Sequence, residues 1–336
     1  MAEPLTPFSV IVPVYNGSET LDACLTALVG QDYPPERFEV IVIDDGSTDE
    51  TAAIASRYPV RLVNVPENRG RIEARLHGAA EARFETLVFN DVRVMPEQDL
   101  LKKISQRGYE PVIPDIRDYD GSTWGFARFF YLLRCRLYAP CYPLSKEREE
   151  FWITADNFDR MPKGTTCFVC SRERWLASQP EKADRETSDD TRILRKIVAT
   201  KPILRTVFVS ARYLQRTDFS AVIPHTCERG PRFADYYLRP GGRYFPLYAG
   251  LWGFIALSLL LGTLDARFGM AAAGLCLAAF AGAMAYMSRR WSDILVVAVC
   301  LPAVAAAFGL GILKWQIRQL LGKGQRGGPD LPSCVL

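Results

Sequence analysis

Three stretches without a charged residue, Tyr244–Leu264, Met270–Met287 and Ile294–Leu313, do most to limit what this chain can fold into. Their lengths of 21, 18 and 20 residues approach the ~20 apolar residues a helix needs to span a bilayer. The competing reading is a buried helical core. Three such segments in succession, split only by "DARFG" and "SRRWSD", favour membrane insertion. The charge balance agrees: residues 1–200 carry 26 Lys and Arg against 32 Asp and Glu, whereas residues 201–336 carry 15 against 6. A basic half that is also apolar suits a membrane surface rather than nucleic acid. Arg229, Arg232, Arg239 and Arg243 precede the first apolar segment and only Arg267 follows it, so its start is expected on the cytosolic side. Three full crossings would leave Lys314, Arg318, Lys323 and Arg326 outside. The third segment is therefore expected to be re-entrant, or partly interfacial around Pro302. "MAEPLTPFSV" lacks the basic and apolar regions of a signal peptide, so the soluble part is expected in the cytosol, on a multi-pass protein of the cell (inner) membrane.

Nine cysteines, an odd number, suit reduced thiols better than a disulfide framework. Cys167 and Cys170 have a zinc-like spacing but no second pair, and on a strand at "TCFVC" they point to opposite faces. The two histidines, His77 and His225, read as structural, which leaves acid–base work to carboxylates. The first ninety residues alternate in period. Strands are expected at Ser9–Val14, Val40–Asp44, Val60–Asn64 and Thr86–Asn90, and helices at Thr20–Val29, Asp49–Tyr58 and Gly70–Arg83. This spacing implies βαβ units and a mainly parallel sheet. "VPVYNGSE" after the first strand is neither G-x-G-x-x-G nor a Walker A loop, so a nucleotide site must be built differently.

The run Val40–Ile43 ends on two adjacent carboxylates, Asp44 and Asp45, followed by Gly46. They can be plain turn residues, with Asp49 and Glu50 placed in the first turn of the next helix. The carboxyl edge of an open α/β sheet is also where ligands bind. "VPVYN", "QDYP" and "DDGSTD" in order, then "NRGRIEARLHGAAEA", resemble a family 2 glycosyltransferase with the GT-A fold. The resemblance covers about residues 8–220. It implies that Asp45 reads the nucleotide base, that Pro13 and Tyr15 line the same pocket, and that Arg75 helps hold the diphosphate. A strand-end carboxylate is a strong acceptor for a base N–H, and Tyr15 offers a flat apolar face beside it.

Further resemblances carry the chemistry. In "LVFNDVRVMP" Asp91 takes the first place of the family's Asp-x-Asp, and Arg93 stands where the second carboxylate belongs. The resemblance implies Mg²⁺ or Mn²⁺ on Asp91, and Arg93 counts against it. "TSDDTRIL" resembles the family's Glu-Asp motif at a helix start, with Asp190 as the base and Asp189 in place of the Glu. "KGTTCFVCSRERW" resembles the acceptor-facing strand and loop and includes Gly164. Arg216 and Arg229 are candidates for the acceptor or diphosphate side; membrane-surface charge is their other reading. The Gln-x-x-Arg-Trp of processive members is absent, with Ser171 at the Gln position of "RERW". "TWGFARFFYLLRCRLY" has helical apolar spacing and several arginines, as in an interfacial or a core helix.

The organisation read from this is a cytosolic GT-A domain (1–225), a basic juxtamembrane segment (226–243), a membrane domain (244–313) and a basic tail (314–336). The implied function is inverting transfer of a sugar from a nucleotide-diphosphate sugar to a lipid-linked acceptor. Transfer to a polyprenyl phosphate and an inactive sugar-binding subunit remain alternatives.

Overall fold

The computed structural model describes residues 5–117, 124–139, 141–142, 149–180 and 189–321, except for the side chain of Asp189. The chain opens with β1 (Phe8–Val14), α1 (Ser18–Val29), β2 (Phe38–Asp45), α2 (Thr51–Ala55), β3 (Arg61–Val65), α3 (Arg71–Glu81) and β4 (Thr86–Asn90). The alternation expected from the sequence is present. α2 starts two residues later than the pattern suggests, because Asp49 sits ahead of it and accepts from both the backbone N–H and the hydroxyl of Thr51, at 3.1 and 2.5 Å. There follow β5 (Val94–Pro96), α4 (Leu100–Arg107), β6 (Val112–Arg117), α5 (Gly125–Leu137), β7 (Phe151–Ile153), β8 (Cys167–Ser171), α6 (Arg172–Ala177), α7 (Asp189–Thr200) and β9 (Ile203–Tyr213).

The strand order is β3-β2-β1-β4-β8-β6-β9-β5, with β7 also on β9. Pairing is parallel from β3 to β4, as expected. Beyond β4 the sheet is mixed: β8 runs antiparallel to β4 and β6, β5 and β7 run antiparallel to β9, and β6 is parallel to β9. The antiparallel β8 places the site. Cys167 pairs with Asn90, so the chain entering β8 (Gly164–Thr166) arrives at the edge where β1, β2 and β4 end.

Strand side chains alternate between two cores. Val10 and Val12 of β1 pack with Leu21, Leu25 and Leu28 of α1, while Ile11 packs with α3 and with Ile193, Leu194 and Ile197 of α7. Cys167 lies in the first core and Cys170 in the second. They face opposite sides of the sheet, as their spacing requires, and cannot share a metal.

α8 (Phe219–Tyr237) precedes α9 (Phe245–Leu264), α10 (Ala266–Met287) and α11 (Trp291–Leu320), and the last three are long and apolar enough to cross a membrane. α8 runs across the expected boundary at residue 225, so much of the "juxtamembrane segment" belongs to a helix begun in the catalytic domain. The third apolar segment, expected to be re-entrant or partly interfacial around Pro302, lies in one continuous 30-residue helix that runs through that proline. It buries a stripe that α9 and α10 lack. Phe126, Phe129 and Leu132 of α5 and Val222 of α8 form a third core with Met287, Val296, Val297 and Cys300. α5 is thus a packing helix that joins the catalytic domain to the apolar helices. Gly230 and Gly311 mark a close crossing of α8 and α11, since a Cβ at Gly230 would lie 2.6 Å from the Phe308 carbonyl oxygen.

Candidate active site

The ends of β1 and β2 lie side by side, with Pro13 opposite Ile43 and Val14 opposite Asp44. Pro13 is half-buried and Tyr15 is 49% exposed, which leaves the tyrosine face open at the sheet edge. Asp44 is a turn residue, accepting from the Ser47 N–H at 3.0 Å. Asp45 is buried and does more. Its two oxygens accept from the Arg69 and Gly70 N–H groups at 2.9 and 2.7 Å, and so fasten β2 to the entry of α3. Gly46 permits this approach: its φ is +73°, and a Cβ there would meet the backbone of Glu67 and Asn68 at 2.8 Å.

That clamp presents the first turns of α3 to the site. Arg75 is buried, and its Nη1 donates to Asp190 Oδ1 at 2.9 Å while Nη2 reaches the Thr165 carbonyl at 3.4 Å. Arg75 was expected on the diphosphate; here it is turned onto the candidate base. The Thr165 hydroxyl also donates to Asp190 Oδ1, at 2.5 Å. The Asp190 side chain keeps 30% exposure. Burial works to raise its pKa, but the charges of Arg71 and Arg75 and the hydrogen bonds from Thr165 and Arg75 outweigh it, and the carboxyl is held well below the usual range. Asp189 begins α7, but its side chain lies outside the described residues. Gly164 sits immediately before Thr165.

The same strap reaches the end of β4. The Asp91 N–H donates to the Thr166 carbonyl at 2.8 Å, so residues 165–166 tie Asp91 to Asp190. Asp91 Oδ1 accepts from the Arg93 N–H at 2.9 Å, and Arg93 Nε donates to the Leu214 carbonyl at 2.8 Å. Arg216 Nη1 lies 3.5 Å from the Tyr213 hydroxyl. Burial, then the charge of Asp91, raise the Tyr213 pKa. On α8, His225 is pushed down to about 3 by burial and by the charges of Arg216, Arg229, Arg232 and Arg71. It is neutral at physiological pH. Arg229 is exposed.

A divalent cation fits this donor set poorly. No group of three His, Cys, Asp or Glu residues suited to a metal exists among the described residues. Asp91 already accepts from its own loop, and its expected partner is a guanidinium.

Thr165, Arg71, Tyr213, His225 and Arg232 join the site without having been assigned to it from the sequence. Thr165 and Arg71 lay within motifs that carried the resemblance, His225 read as structural and Arg232 as charge ahead of the first apolar segment. Tyr213 had no local signal.

A mixed, twisted sheet with helices on both faces and its charged residues at one strand edge defines a Rossmann-like GT-A domain, here carrying apolar helices long enough to cross a membrane. Residues 9–162 match the model of glycosyl transferase family 2, and the amino-terminal part of the chain is a family 2 glycosyltransferase domain. Glycosyltransferase AglE of Haloferax volcanii is 35% identical over 108 residues, covering 31% of this chain and 36% of that protein. Dolichyl-phosphate beta-glucosyltransferase of Drosophila melanogaster is 38% identical over 138 residues, covering 36% of this chain and 41% of its own. The chain thus spans well under half the length of these relatives. The fold resembles that of mannosyltransferase PcManGT from Pyrobaculum calidifontis in complex with GDP-Man and Mn²⁺, with a TM-score of 0.54 and 20% identity over 96% of this chain and 89% of that one.

Replacing Asp45 with alanine orphans the N–H groups of Arg69 and Gly70 as well as removing an acceptor for a base. A buried donor left unpaired costs about 1–3 kcal/mol; Arg69 is exposed and Gly70 half-buried, so water takes up part of the loss and the cost falls toward the low end. Asp45→Ala is expected to lower both the thermal midpoint and the affinity for free nucleoside diphosphate. Unchanged values in thermal unfolding and calorimetry would return Asp45 to the status of an ordinary turn residue.

Proposed function

We propose that the chain is a membrane-anchored, inverting, non-processive glycosyltransferase that takes a sugar from a nucleotide-diphosphate sugar and gives it to a lipid-linked acceptor at the cytosolic face. The observation that carries this reading is the pairing of Asp190 with Thr165 and Arg75 at an edge that also holds Asp45, Asp91 and several arginines. Proximity to the membrane helices supports a lipid-borne acceptor. Arg243, two residues before α9, donates to the Asp159 carbonyl in the segment leading to Thr165. The printed names of two relatives point the same way: one is a dolichyl-phosphate glucosyltransferase, another acts on a dolichyl-linked sugar phosphate.

In this mechanism the base lies against Tyr15 and Asp45, and the diphosphate lies near Arg71, Arg93 and Arg216, whose forks match phosphate oxygens. The acceptor oxygen attacks the anomeric carbon from the face opposite the diphosphate. The new C–O bond forms as the bond to the phosphate oxygen breaks, and that electron pair leaves with the diphosphate. The acceptor proton passes to Asp190. A carboxylate held this acidic is a weak base, so the proton moves late, once bond formation has acidified the hydroxyl. The strong ion pairing of Asp190 also favours a second reading, a phosphate-oxygen nucleophile that needs no base.

Donor screening by nucleotide release, with full-length protein and lipid extract, tests the assignment. The expected result is release that depends on both one donor and the lipid. Failure with every nucleotide sugar would leave a sugar-binding subunit.

No step passes through a metal. Arg93 and its neighbours neutralise part of the diphosphate charge, so chelator is expected to lower turnover by less than about tenfold, a fraction of the several kcal/mol a bound ion supplies as Lewis acid. Arg93→Asp should create a saturable dependence on Mn²⁺ or Mg²⁺. If chelator silences the wild type and Arg93→Asp gains nothing, Arg93 does not stand in for an ion.

A further inference from the structure

The catalytic domain holds α11 at both of its ends. Near the start, Arg128 of α5 donates to Asp293 at 2.8 Å, with both side chains buried. Phe126, Phe129 and Leu132 of α5 share a core with Val296, Val297 and Cys300. Further along, Phe233 of α8 meets the Phe308 ring at 5.4 Å, and Lys314 Nζ lies 3.8 Å from Cys227 Sγ. The Gly311 backbone comes so close to the Cys227 carbonyl that a Cβ would not fit. At ~1.5 Å per residue, the stretch from Asp293 to Lys314 is about 30 Å long. That is the thickness of the hydrocarbon core of a bilayer, ~30 Å.

If α11 crossed the membrane, it would carry one set of these contacts to the far side or draw α5 or α8 into the bilayer. Neither helix suits hydrocarbon. α5 carries Arg128, Arg134 and Arg136, and α8 exposes Glu228 and Arg229; charge facing lipid is costly. Both ends of α8 are also tied to the sheet and its helices. Leu214, just ahead of it, donates its N–H to the Arg93 carbonyl at 2.8 Å, and Asp235, near its end, accepts from Arg192 of α7 at 2.9 Å. α9 and α10 behave differently. α9 buries no residue and α10 only Met287. The two mouths of this hairpin meet the catalytic domain on one side: Arg243 donates to the Asp159 carbonyl, and Arg136 to the Ser288 carbonyl at 3.5 Å. This pair can cross and return, but α11 cannot follow it.

We propose that α11 lies in the plane of the membrane surface, its outward face sunk into the headgroup–acyl boundary of the leaflet beside the catalytic domain, and that only α9 and α10 cross. α11 carries two apolar stripes. One, from Val296 to Gly311, is buried against the protein. The other, with Leu295, Val299, Leu310, Leu313 and Ile317 at helical spacing, is exposed and needs a second apolar environment. A lipid leaflet supplies it, and the exposed Arg289, Arg290 and Lys314 beside the stripe suit anionic headgroups. The arrangement keeps Lys314 and Arg318 on the same side as Arg239 and Arg243, as the positive-inside bias favours. It rests on the contacts of α5 and α8 and not on the glycosyl-transfer reading. For that reading its consequence is a fixed height of α8, and through Arg192 of the helix bearing Asp190, above the leaflet.

The test labels full-length protein in intact cells with a membrane-impermeant maleimide, in a Cys276→Ser, Cys334→Ser background whose own labelling is subtracted. Glu36→Cys reports the catalytic domain, Ser292→Cys and Gln319→Cys the ends of α11, and Ala266→Cys the turn between α9 and α10; all four positions are exposed. Ser292→Cys and Gln319→Cys should label as Glu36→Cys does, and Ala266→Cys in the opposite sense. Ends of α11 that label from opposite sides would overturn the proposal. Labelling of Glu36→Cys, Ser292→Cys and Gln319→Cys together from outside would sustain the in-plane helix while removing the cytosolic placement of the site. Depth is the second readout, from single nitroxides at Leu295, Val299, Leu310 and Ile317 in nanodiscs of phosphatidylcholine and phosphatidylglycerol. Their relative accessibility to oxygen and to a nickel chelate should place all four at one depth, about 5–10 Å into the boundary. Depths that rise to ~15 Å between Val299 and Leu310 and fall again at Ile317 would mark a crossing helix and overturn it. Protection from both reagents, with broadening between nitroxides, would assign the face to a second copy of the chain and overturn it as well.

Discussion

Asp190→Asn is expected to lower sugar transfer about 10²–10⁴-fold, the usual contribution of a positioned general base, while leaving nucleotide affinity close to wild type. Tyr15 and Asp45, proposed to hold the base, share no hydrogen bond with Asp190 among the described residues, and the amide oxygen of asparagine can still accept from Thr165. What is lost is the proton acceptor and the counter-charge for Arg71 and Arg75. The pH profile gives a second check. Burial pushes the Asp190 carboxyl up, but Arg71, Arg75 and the Thr165 hydroxyl pull it further down. A depressed carboxyl is already ionised at neutral pH. Its contribution to stability is fully present above the unfolded value of ~3.9 and is lost only as pH falls through the far lower folded value. Asp190 should therefore add no acidic limb to kcat/KM between about pH 5 and 8. An acidic limb that disappears in Asp190→Asn would contradict this electrostatic account. Near-wild-type turnover onto a sugar hydroxyl would remove Asp190 as the base, whereas a small effect with a lipid phosphate acceptor would favour the phosphate-oxygen nucleophile.

How much of this was readable in the sequence follows from where each signal resides. β1, β2 and β4 are runs of β-branched and aromatic residues bounded by turn residues, and a local pattern suffices to place them. β5 and β7 are three-residue strands, "VMP" and "FWI", that exist because β9 pairs with them. Nothing in three residues announces that partner. The carboxylates Asp45, Asp91 and Asp190 were legible because each closes a motif. Their partners were not. Arg69, Arg71 and Arg75 are near neighbours in sequence, and only the fold decides that Arg75 reaches Asp190, 115 residues away. His225 read as structural for the same reason: the arginines that surround it come from α3, α8 and the segment after β9. The apolar helices were plain from length and composition, whereas the buried stripe of α11 depends on α5 and α8, which no hydropathy window compares.

The aromatic helix α5 shows what that stripe is for, and Arg128→Met should reveal it. Arg128 grips Asp293 through Nε and Nη2, at 2.8 and 3.0 Å, and both side chains are buried. The Asp293 carboxylate also accepts from the N–H groups of Arg289 and Arg290, at 3.0 and 3.1 Å, so it closes the turn between α10 and α11 while holding α5. Removing one partner of a buried pair leaves an uncompensated charge and costs about 3–5 kcal/mol. Surrounding the pair, Phe126 and Phe129 of α5 bury against Met287, Val296 and Val297. That apolar contact should keep α5 attached, so the expected result is a large fall in the thermal midpoint of the full-length protein rather than failure to assemble. Turnover with a lipid acceptor should fall further than nucleotide affinity, because the Asp45 pocket is remote from this joint while α8 and α11 share its core. Replacing both partners, as Arg128→Met with Asp293→Leu, removes the orphaned charge and should recover part of the loss. The recovery will be incomplete, since the Arg289 and Arg290 N–H groups lose their acceptor. A midpoint unchanged in Arg128→Met, measured in nanodiscs, would mean that the apolar core alone orients the catalytic domain on its membrane helices.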